Sequence, residues 1–316
     1  MMKSTGNRIT RKIIFSFVFI CLCIQAGAQD AQIRYALIPE NPTPGEPVTI
    51  GINADSTIKS AALYTGDKRL ARASFFTLPA EADKPSVMAA VLAVPATADA
   101  GSAYINIERA SGLALKIPLV IKERQFKAEV IELNEVLTGI RTEPDPQKTR
   151  ESEQLWAILS RTGTEIYSLG YFVPPVSSTR RTSFFGDRRV YKYSSGKTDT
   201  SVHAGVDYGV PTGTPVNACA AGKVVLARSR IVTGNSVVVE HAPGIYSLYY
   251  HLNSIAVTEG TLVQAGTLLG RSGATGLATG PHLHWEIRVS GENTDPDAFI
   301  QRPILDKEAI LAKITN

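Results

Sequence analysis

Five side chains of the types that bind metals and move protons stand in the C-terminal half of this chain. Among 316 residues there are only five histidines. Four of them and one aspartate lie beside glycine-rich turns and strand-like runs: His203, Asp207, His251, His282 and His284. Imidazole nitrogens and carboxylate oxygens suit zinc, and three protein ligands leave a fourth position open for water. Because zinc lowers the pKa of that water to about 7, this set of residues favours hydrolytic chemistry.

The spacing within two short motifs predicts which side chains share a face. His282 and His284 are two residues apart, so a β-strand would point both imidazoles to one side. His203 and Asp207 are four apart, and a strand would again place them on one face, while Gly205 between them argues against a helix. Spacing alone does not decide which three of the five side chains bind the metal.

The segments that carry these residues resemble the LytM/lysostaphin-type M23 metallopeptidase family. The resemblance covers about residues 174–299, and the upstream region is similar to the N-terminal extension of some members. The similar segments are 183–188, 213–216, 220–225, 237–241, 248–252, 273–276 and 279–286. All five positions match the pattern of the family.

Carried over position by position, the resemblance implies that His203, Asp207 and His284 bind one zinc ion. It implies that His251 and His282 are the catalytic pair. One of them would take a proton from the metal-bound water, and the other would stabilise the oxyanion or protonate the leaving amine. His282 is the preferred general base, and an exchange of roles with His251 stays open.

The resemblance also implies an activity, namely a zinc endopeptidase that hydrolyses stem or cross-bridge peptides of peptidoglycan during cell-wall remodelling. The alternative is a non-catalytic LytM-like activator of other cell-wall hydrolases, a role taken by members that have lost ligands. Because the three implied ligands and both catalytic histidines are present, the sequence favours the enzyme. Sugar-phosphotransfer carrier domains with two histidines are a third class, but they are cytoplasmic and lack the aspartate.

The first 28 residues predict a cleavable signal peptide. Four basic residues and no acid precede the apolar run 13–24, and the small residues 26–28 form a cleavage site. An uncleaved anchor is the alternative, although the run is short for a bilayer. Export would place the protein in the periplasm or cell envelope, or outside the cell, where peptidoglycan peptides are accessible. No stable membrane span is expected in the mature chain.

The excess of basic residues belongs to this leader. The chain has 33 basic and 29 acidic residues, and removing the four basic residues of the leader leaves 29 of each. This balance gives no support for nucleic acid as a partner. Cys219 is the one cysteine after residue 28, so a disulfide within the mature chain is excluded. Its apolar neighbours predict a small buried residue.

The pattern of strands and turns predicts a mainly β protein. Strand-forming runs at 48–52, 61–64, 87–94, 103–107 and 113–121 indicate a β-sandwich-like accessory domain over 29–123. It would hold the enzyme on the wall or cover the groove until released. The next segment is predicted to be a linker, over 124–173, with one helix over 148–162. Asp145 is the expected cap of that helix, and Pro146 suits its first turn.

The remaining chain is assigned to an M23-type zinc peptidase domain over 174–300 and a tail over 301–316. The resemblance implies that this domain is a mostly antiparallel β structure with a groove across its sheet. His241 has no partner in a motif and is predicted to be an ordinary strand-end residue.

Overall fold

β-Strands are the main regular structure in the computed structural model, which describes residues 34–53, 57–79, 84–110, 114–161 and 163–315. The predicted mainly β class is confirmed. The predicted leader at 1–28 lies outside the described residues. Among the helices of the described part, none is long and apolar enough to cross a bilayer.

Two four-stranded antiparallel sheets form the N-terminal region, in the strand orders β1-β2-β6-β5 and β4-β3-β7-β8. The strands are β1 (Tyr35–Ile38), β2 (Pro47–Asn53), β3 (Ile58–Thr65), β4 (Lys68–Ser74), β5 (Phe76–Thr77), β6 (Val87–Ala93), β7 (Gly101–Arg109) and β8 (Ala114–Ile121). All five strand-forming runs singled out in the sequence coincide with strands. They were detectable because runs of β-branched and aliphatic residues are bounded by turn residues.

Strand β6 is buried on both faces. Ala90 and Leu92 point into the core between the two sheets. Val87, Ala89 and Val91 point the other way and pack into a second core that continues into the C-terminal half. This continuous apolar contact attaches the N-terminal sheets to the rest of the chain, because separating them would expose the second core to water.

The tail predicted at 301–316 contains a helix, α4 (Lys307–Thr315). Its buried residue Ile310 packs against strand β2. A Cβ added at Gly51 would lie 2.3 Å from Cγ2 of Ile310, so the helix rests directly on the backbone of the strand. Helix α4 therefore packs on the face of β2 that is turned away from the core between the two N-terminal sheets, and Ile310 belongs to the core shared with the C-terminal half.

The linker region holds more regular structure than the single predicted helix. It contains β9 (Ala128–Glu132), α1 (Glu135–Thr142) and α2 (Pro146–Leu159). The predicted cap of α2 is confirmed, since the Asp145 carboxylate accepts a hydrogen bond from the backbone of Gln147 at 2.7 Å. Helix α1 is only eight residues long, which is shorter than the window over which a helical period is read from a sequence.

The C-terminal half is built on a ten-stranded sheet whose main path runs β10-β13-β20-β17-β16-β15-β18. Strands β11 and β12 pair outside it, with β9 added in parallel to β11. The elements are β10 (Arg181–Ser183), β11 (Arg188–Lys192), β12 (Thr198–Val202), β13 (Val206–Tyr208), β14 (Pro215–Asn217), β15 (Gly222–Arg230), β16 (Gly234–Ala242), β17 (Ile245–Ile255), β18 (Leu262–Val263), β19 (Leu268–Ser272), β20 (Leu283–Val289), β21 (Glu292–Thr294) and α3 (Pro296–Gln301).

Candidate metal and catalytic site

Strands β13, β20 and β17 are neighbours in the large sheet, and they bring the candidate side chains together. Asp207 of β13 lies directly opposite His284 of β20. On its other side, His284 lies opposite Tyr250 of β17, and the rings of Tyr250 and His284 stack with centroids 5.6 Å apart. Cross-strand neighbours of this kind point to the same face of the sheet. His284 is thus held at the centre of the group.

His203 reaches the same place by a different route from the predicted one. Instead of sharing a strand with Asp207, it lies in the turn between β12 and β13. A Cβ added at Gly205 in this turn would lie 2.2 Å from the carbonyl oxygen of Trp285. The turn therefore packs against the backbone of β20 at a position where only glycine fits. The strand argument for the His203–Asp207 pair was wrong, although the two side chains do converge.

Three atoms form a triangle suited to a metal ion. Nε2 of His203 lies 3.0 Å from Nδ1 of His284 and 3.2 Å from Oδ1 of Asp207. The third side, from Nδ1 of His284 to Oδ1 of Asp207, is 2.7 Å. Ligands at zinc distances of about 2.0–2.2 Å in a tetrahedron lie about 3.3 Å apart. The three residues fit a divalent metal of the zinc type with only a small expansion of the triangle.

The other ring nitrogen of each histidine has a partner that orients the ring. Nδ1 of His203 lies 2.8 Å from the carbonyl oxygen of Phe184. Nε2 of His284 lies 2.9 Å from Oε1 of Glu286, whose second oxygen accepts a hydrogen bond from Arg288 at 2.9 Å. Such partners aim the remaining nitrogen at the metal and make it a stronger ligand.

The electrostatics of the triangle favour a charged carboxylate. Burial would raise the pKa of Asp207, but the charge on His284 and hydrogen bonds from His203 and His284 hold that pKa well below its usual value. Burial lowers the pKa of His284, but Asp207 and Glu286 outweigh it and raise this pKa to about 9. Without a metal, His284 therefore carries a proton that faces Asp207, and a metal ion entering the site must displace it.

His251 and His282 lie beside the triangle as a second pair. Their ring centroids are 4.8 Å apart, and Nε2 of His282 lies 3.9 Å from Oδ1 of Asp207. Nδ1 of His251 lies 2.8 Å from the carbonyl oxygen of Thr275, and Nδ1 of His282 lies 2.8 Å from that of Gly280. Each Nδ1 donates to a backbone acceptor, so each Nε2 is the nitrogen left to exchange a proton with a substrate or water.

Burial favours the neutral imidazole in both histidines of this pair. Burial lowers the pKa of His251 to about 3, with His282 and His284 adding to the effect. Burial also lowers the pKa of His282, although Asp207 opposes the shift. A general base must be unprotonated at the working pH, and the lowered pKa of each histidine meets this condition at neutral pH.

A cavity of about 190 Å³ opens over the site, and its lining residues all fall between 141 and 286. Within the part of the chain that the structure describes, the N-terminal sheets supply none of them. The idea that the N-terminal region covers the groove gains no support from this lining. Arg141 of α1 and Arg189 of β11 both line the cavity, so the linker region and the strand it pairs with border the site.

Three residues of the site went unnoticed in the sequence. Glu286 is two residues beyond His284, so the same strand alternation that paired His282 with His284 could have indicated it. Tyr250 and Arg189 had no comparable signal, since they lie on β17 and β11 and not on the strand of His284.

His241 lies apart from the five candidate residues and is fully buried. Its ring nitrogens lie 2.8 Å from the carbonyl oxygen of Ala221 and 2.7 Å from Oγ of Ser247.

Sequence comparison identifies a known domain around these residues. The profile described as Peptidase family M23 matches residues 201–296. The DD-carboxypeptidase/endopeptidase Mpg of Neisseria meningitidis serogroup B is 38% identical over 127 residues, which is 40% of this chain and 28% of that protein. The peptidoglycan DD-endopeptidase ShyA of Vibrio cholerae serotype O1 is 39% identical over 118 residues, which is 37% of this chain and 27% of that protein. The chain thus spans less than a third of the length of these relatives.

A structural likeness extends beyond the matched domain. A crystal structure from Pseudomonas aeruginosa, assigned to peptidase M23, aligns with 82% of this chain and 94% of its own, with a TM-score of 0.57 and 26% identity. The aligned share is larger than the domain itself, so it includes much of the upstream region. Together with the profile match and the His and Asp motifs inside it, this identifies a peptidase family M23 domain in the chain.

Proposed function

We propose that this chain is a zinc-dependent endopeptidase that hydrolyses peptide bonds in the stem or cross-bridge peptides of peptidoglycan. One observation carries the proposal: the donor triangle of His203, Asp207 and His284 stands beside two neutral imidazoles in a single M23 domain. The names of the relatives, which include DD-endopeptidases, support the substrate class.

In this proposal, His203, Asp207 and His284 hold one zinc ion. Bound there, zinc would supply a Lewis acid that polarises a peptide carbonyl and strengthens water as a nucleophile at neutral pH. The two orienting partners, the Phe184 carbonyl and the Glu286 carboxylate, keep the ligand nitrogens aimed at the ion.

His282 is proposed as the general base and His251 as the group that stabilises the oxyanion or protonates the leaving amine. Nε2 of His282 lies within 4 Å of Oδ1 of Asp207, and a base has to reach the attacking water. The neutral state of His282 equips it to accept a proton. Once protonated, either imidazole can donate to the leaving amine.

An extracytoplasmic location is part of the proposal, because peptidoglycan lies outside the cytoplasm. The leader-like residues 1–28 support it. The alternative of a non-catalytic activator is less well supported, since such members lack ligands and this chain has all three together with both histidines.

Muropeptide mass analysis tests the proposal. Isolated peptidoglycan is incubated with the purified, zinc-loaded chain, and a parallel sample receives His282→Ala. We expect cross-linked dimers to disappear in the wild-type digest only, and the products to identify the bond. An unchanged muropeptide profile with zinc-loaded wild-type protein would instead favour the activator role.

A further inference from the structure

Arg189 connects the linker strand β9 to the proposed metal site. Its side chain is largely buried, with 13% exposed. Nη2 of Arg189 donates to Oδ2 of Asp207 at 2.6 Å and to Oγ of Ser183 at 2.9 Å. On its other edge, Nε donates to Oε1 of Glu129 at 2.5 Å. Glu129 and Arg189 are register partners in the parallel pairing of β9 and β11.

This arrangement divides the two oxygens of Asp207 between two tasks. Oδ1 belongs to the donor triangle with His203 and His284. Oδ2 is held by the guanidinium of Arg189 in a charge-assisted hydrogen bond, which is shorter and stronger than a neutral one. Holding Oδ2 fixes the rotation of the carboxylate, and a fixed carboxylate keeps Oδ1 at the ligand position.

Glu129 supports the second ligand of the triangle as well. Its Oε1 accepts a hydrogen bond from Oγ of Ser183 at 2.8 Å, and the same Oγ lies 3.1 Å from Nδ1 of His203. One carboxylate oxygen thus contacts the partners of both Asp207 and His203. Glu129 also balances the charge of Arg189, which would otherwise repel a divalent cation nearby.

We infer that Arg189 and Glu129 are positioning residues for the metal ligands, and that the linker strand is therefore a working part of the metal site. Both residues precede the segment 201–296 that matches the family profile. The inference rests on the proposed metal site. It gives the region upstream of the matched segment a role in metal affinity. This role does not require contact with the substrate.

The same pair of strands supplies a matched control. Glu132 and Lys192 are register partners three residues further along β9 and β11, and their charged atoms lie 3.7 Å apart. Both side chains are exposed, and neither contacts a ligand. An exposed pair of this kind contributes little to stability. Replacing it perturbs the same ladder without touching the triangle.

The test is the zinc affinity of the full purified chain, measured by competition with a chromophoric chelator in the absence of substrate. We expect Glu129→Gln and Arg189→Met each to raise the zinc Kd by about ten-fold or more. Arg189→Lys should restore part of the affinity, because lysine supplies the charge but cannot reach three partners at once. Glu132→Gln and Lys192→Met should leave the Kd within about two-fold of wild type.

Three further measurements separate positioning from a general effect on folding. The absorption spectrum of the Co²⁺-loaded protein should change in Arg189→Met, since it reports ligand geometry, while the control variants keep the wild-type spectrum. The double variant Glu129→Gln/Arg189→Met should lose less affinity than the sum of the single losses, as expected for coupled neighbours. Thermal unfolding of the metal-free variants identifies any that fail to fold. If Arg189→Met is one of them, the zinc Kd of the near-isosteric Glu129→Gln tests the inference.

A wild-type zinc Kd and an unchanged Co²⁺ spectrum in Glu129→Gln, and in Arg189→Met if that variant folds, would overturn the inference. Absence of zinc binding by the wild-type chain would overturn the metal site itself, and with it the proposed function. The two failures are therefore distinguishable.

Discussion

The rings of His251 and His282 lie with centroids 4.8 Å apart, although one belongs to β17 and the other precedes β20. His251 has a φ of +61°, which is uncommon for a residue other than glycine. In a regular strand, Tyr250 and His251 would point to opposite faces. Here both rings contact His284, at centroid distances of 5.6 and 6.1 Å. The unusual backbone conformation of His251 lets two consecutive residues serve one site.

Replacing His282 with alanine should remove hydrolysis while leaving zinc bound. The imidazole lies outside the donor triangle, and loss of a general base costs about 10²- to 10⁴-fold in rate. The turnover of a cross-linked muropeptide and the zinc content of the same preparation measure the two effects. Asp207→Ala is the contrasting variant, because it removes the anionic ligand and should release zinc as well. Full activity in His282→Ala would refute the proposed mechanism.

Gly205→Ala should destabilise the chain by about 1–3 kcal/mol, the usual cost of overpacking. The added methyl group would meet the Trp285 carbonyl oxygen at 2.2 Å, and a backbone atom in the sheet cannot move aside easily. Zinc affinity should fall with stability, since the turn carries His203. Chemical denaturation checks the free energy of unfolding. Gly170→Ala is the control, because a methyl group there meets nothing within 4 Å. Equal stability of the two variants would contradict this account.

The stability of the chain should depend on pH through His241. Burial lowers the pKa of this imidazole from 6.5 to about 4. Between these values the unfolded chain binds the proton and the folded chain does not, so the free energy of unfolding falls as pH drops from about 6.5 to about 4. The full effect corresponds to about 3 kcal/mol.

The variant His241→Gln isolates this contribution. Other buried histidines also titrate in the window, so the quantity to compare is the difference between wild type and variant at each pH, with both proteins metal-free. We expect that difference to shrink toward low pH, because only the wild type loses the contribution of His241. A difference that stays constant between pH 7 and pH 4 would argue against a neutral buried imidazole.

A truncated chain that begins at Arg124 should be less stable and should show no gain in activity. Removing the N-terminal sheets exposes the apolar face that packs against Val87, Ala89 and Val91, and it leaves Ile310 of α4 without its strand. Exposed apolar surface of this kind promotes aggregation. Thermal unfolding and size-exclusion chromatography measure the effect. A soluble, more active truncation would revive the hypothesis that this region covers the groove.

Local patterns in the sequence predicted much of the fold and part of the candidate site. The mainly β class, the strands between 48 and 121, and the helix capped by Asp145 depend on neighbours within a few residues, and the structure confirms them. The two-residue period of a strand predicted that His282 and His284 share a site, and Glu286 belongs to the same alternation. The single-helix prediction for the linker missed α1, because eight residues are fewer than the window over which a helical period is read.

Long-range pairing decided the rest. By itself the sequence determined which residue types are present and which of them alternate along one strand. Only the tertiary structure placed His203 through a turn packed on Trp285, turned His251 by its positive φ, and joined Glu129 to Arg189 across a parallel pair of strands. The physical reason is that side-chain alternation is a local property of the backbone. The neighbour of a strand, its register and its bulges depend on contacts between residues far apart in the chain.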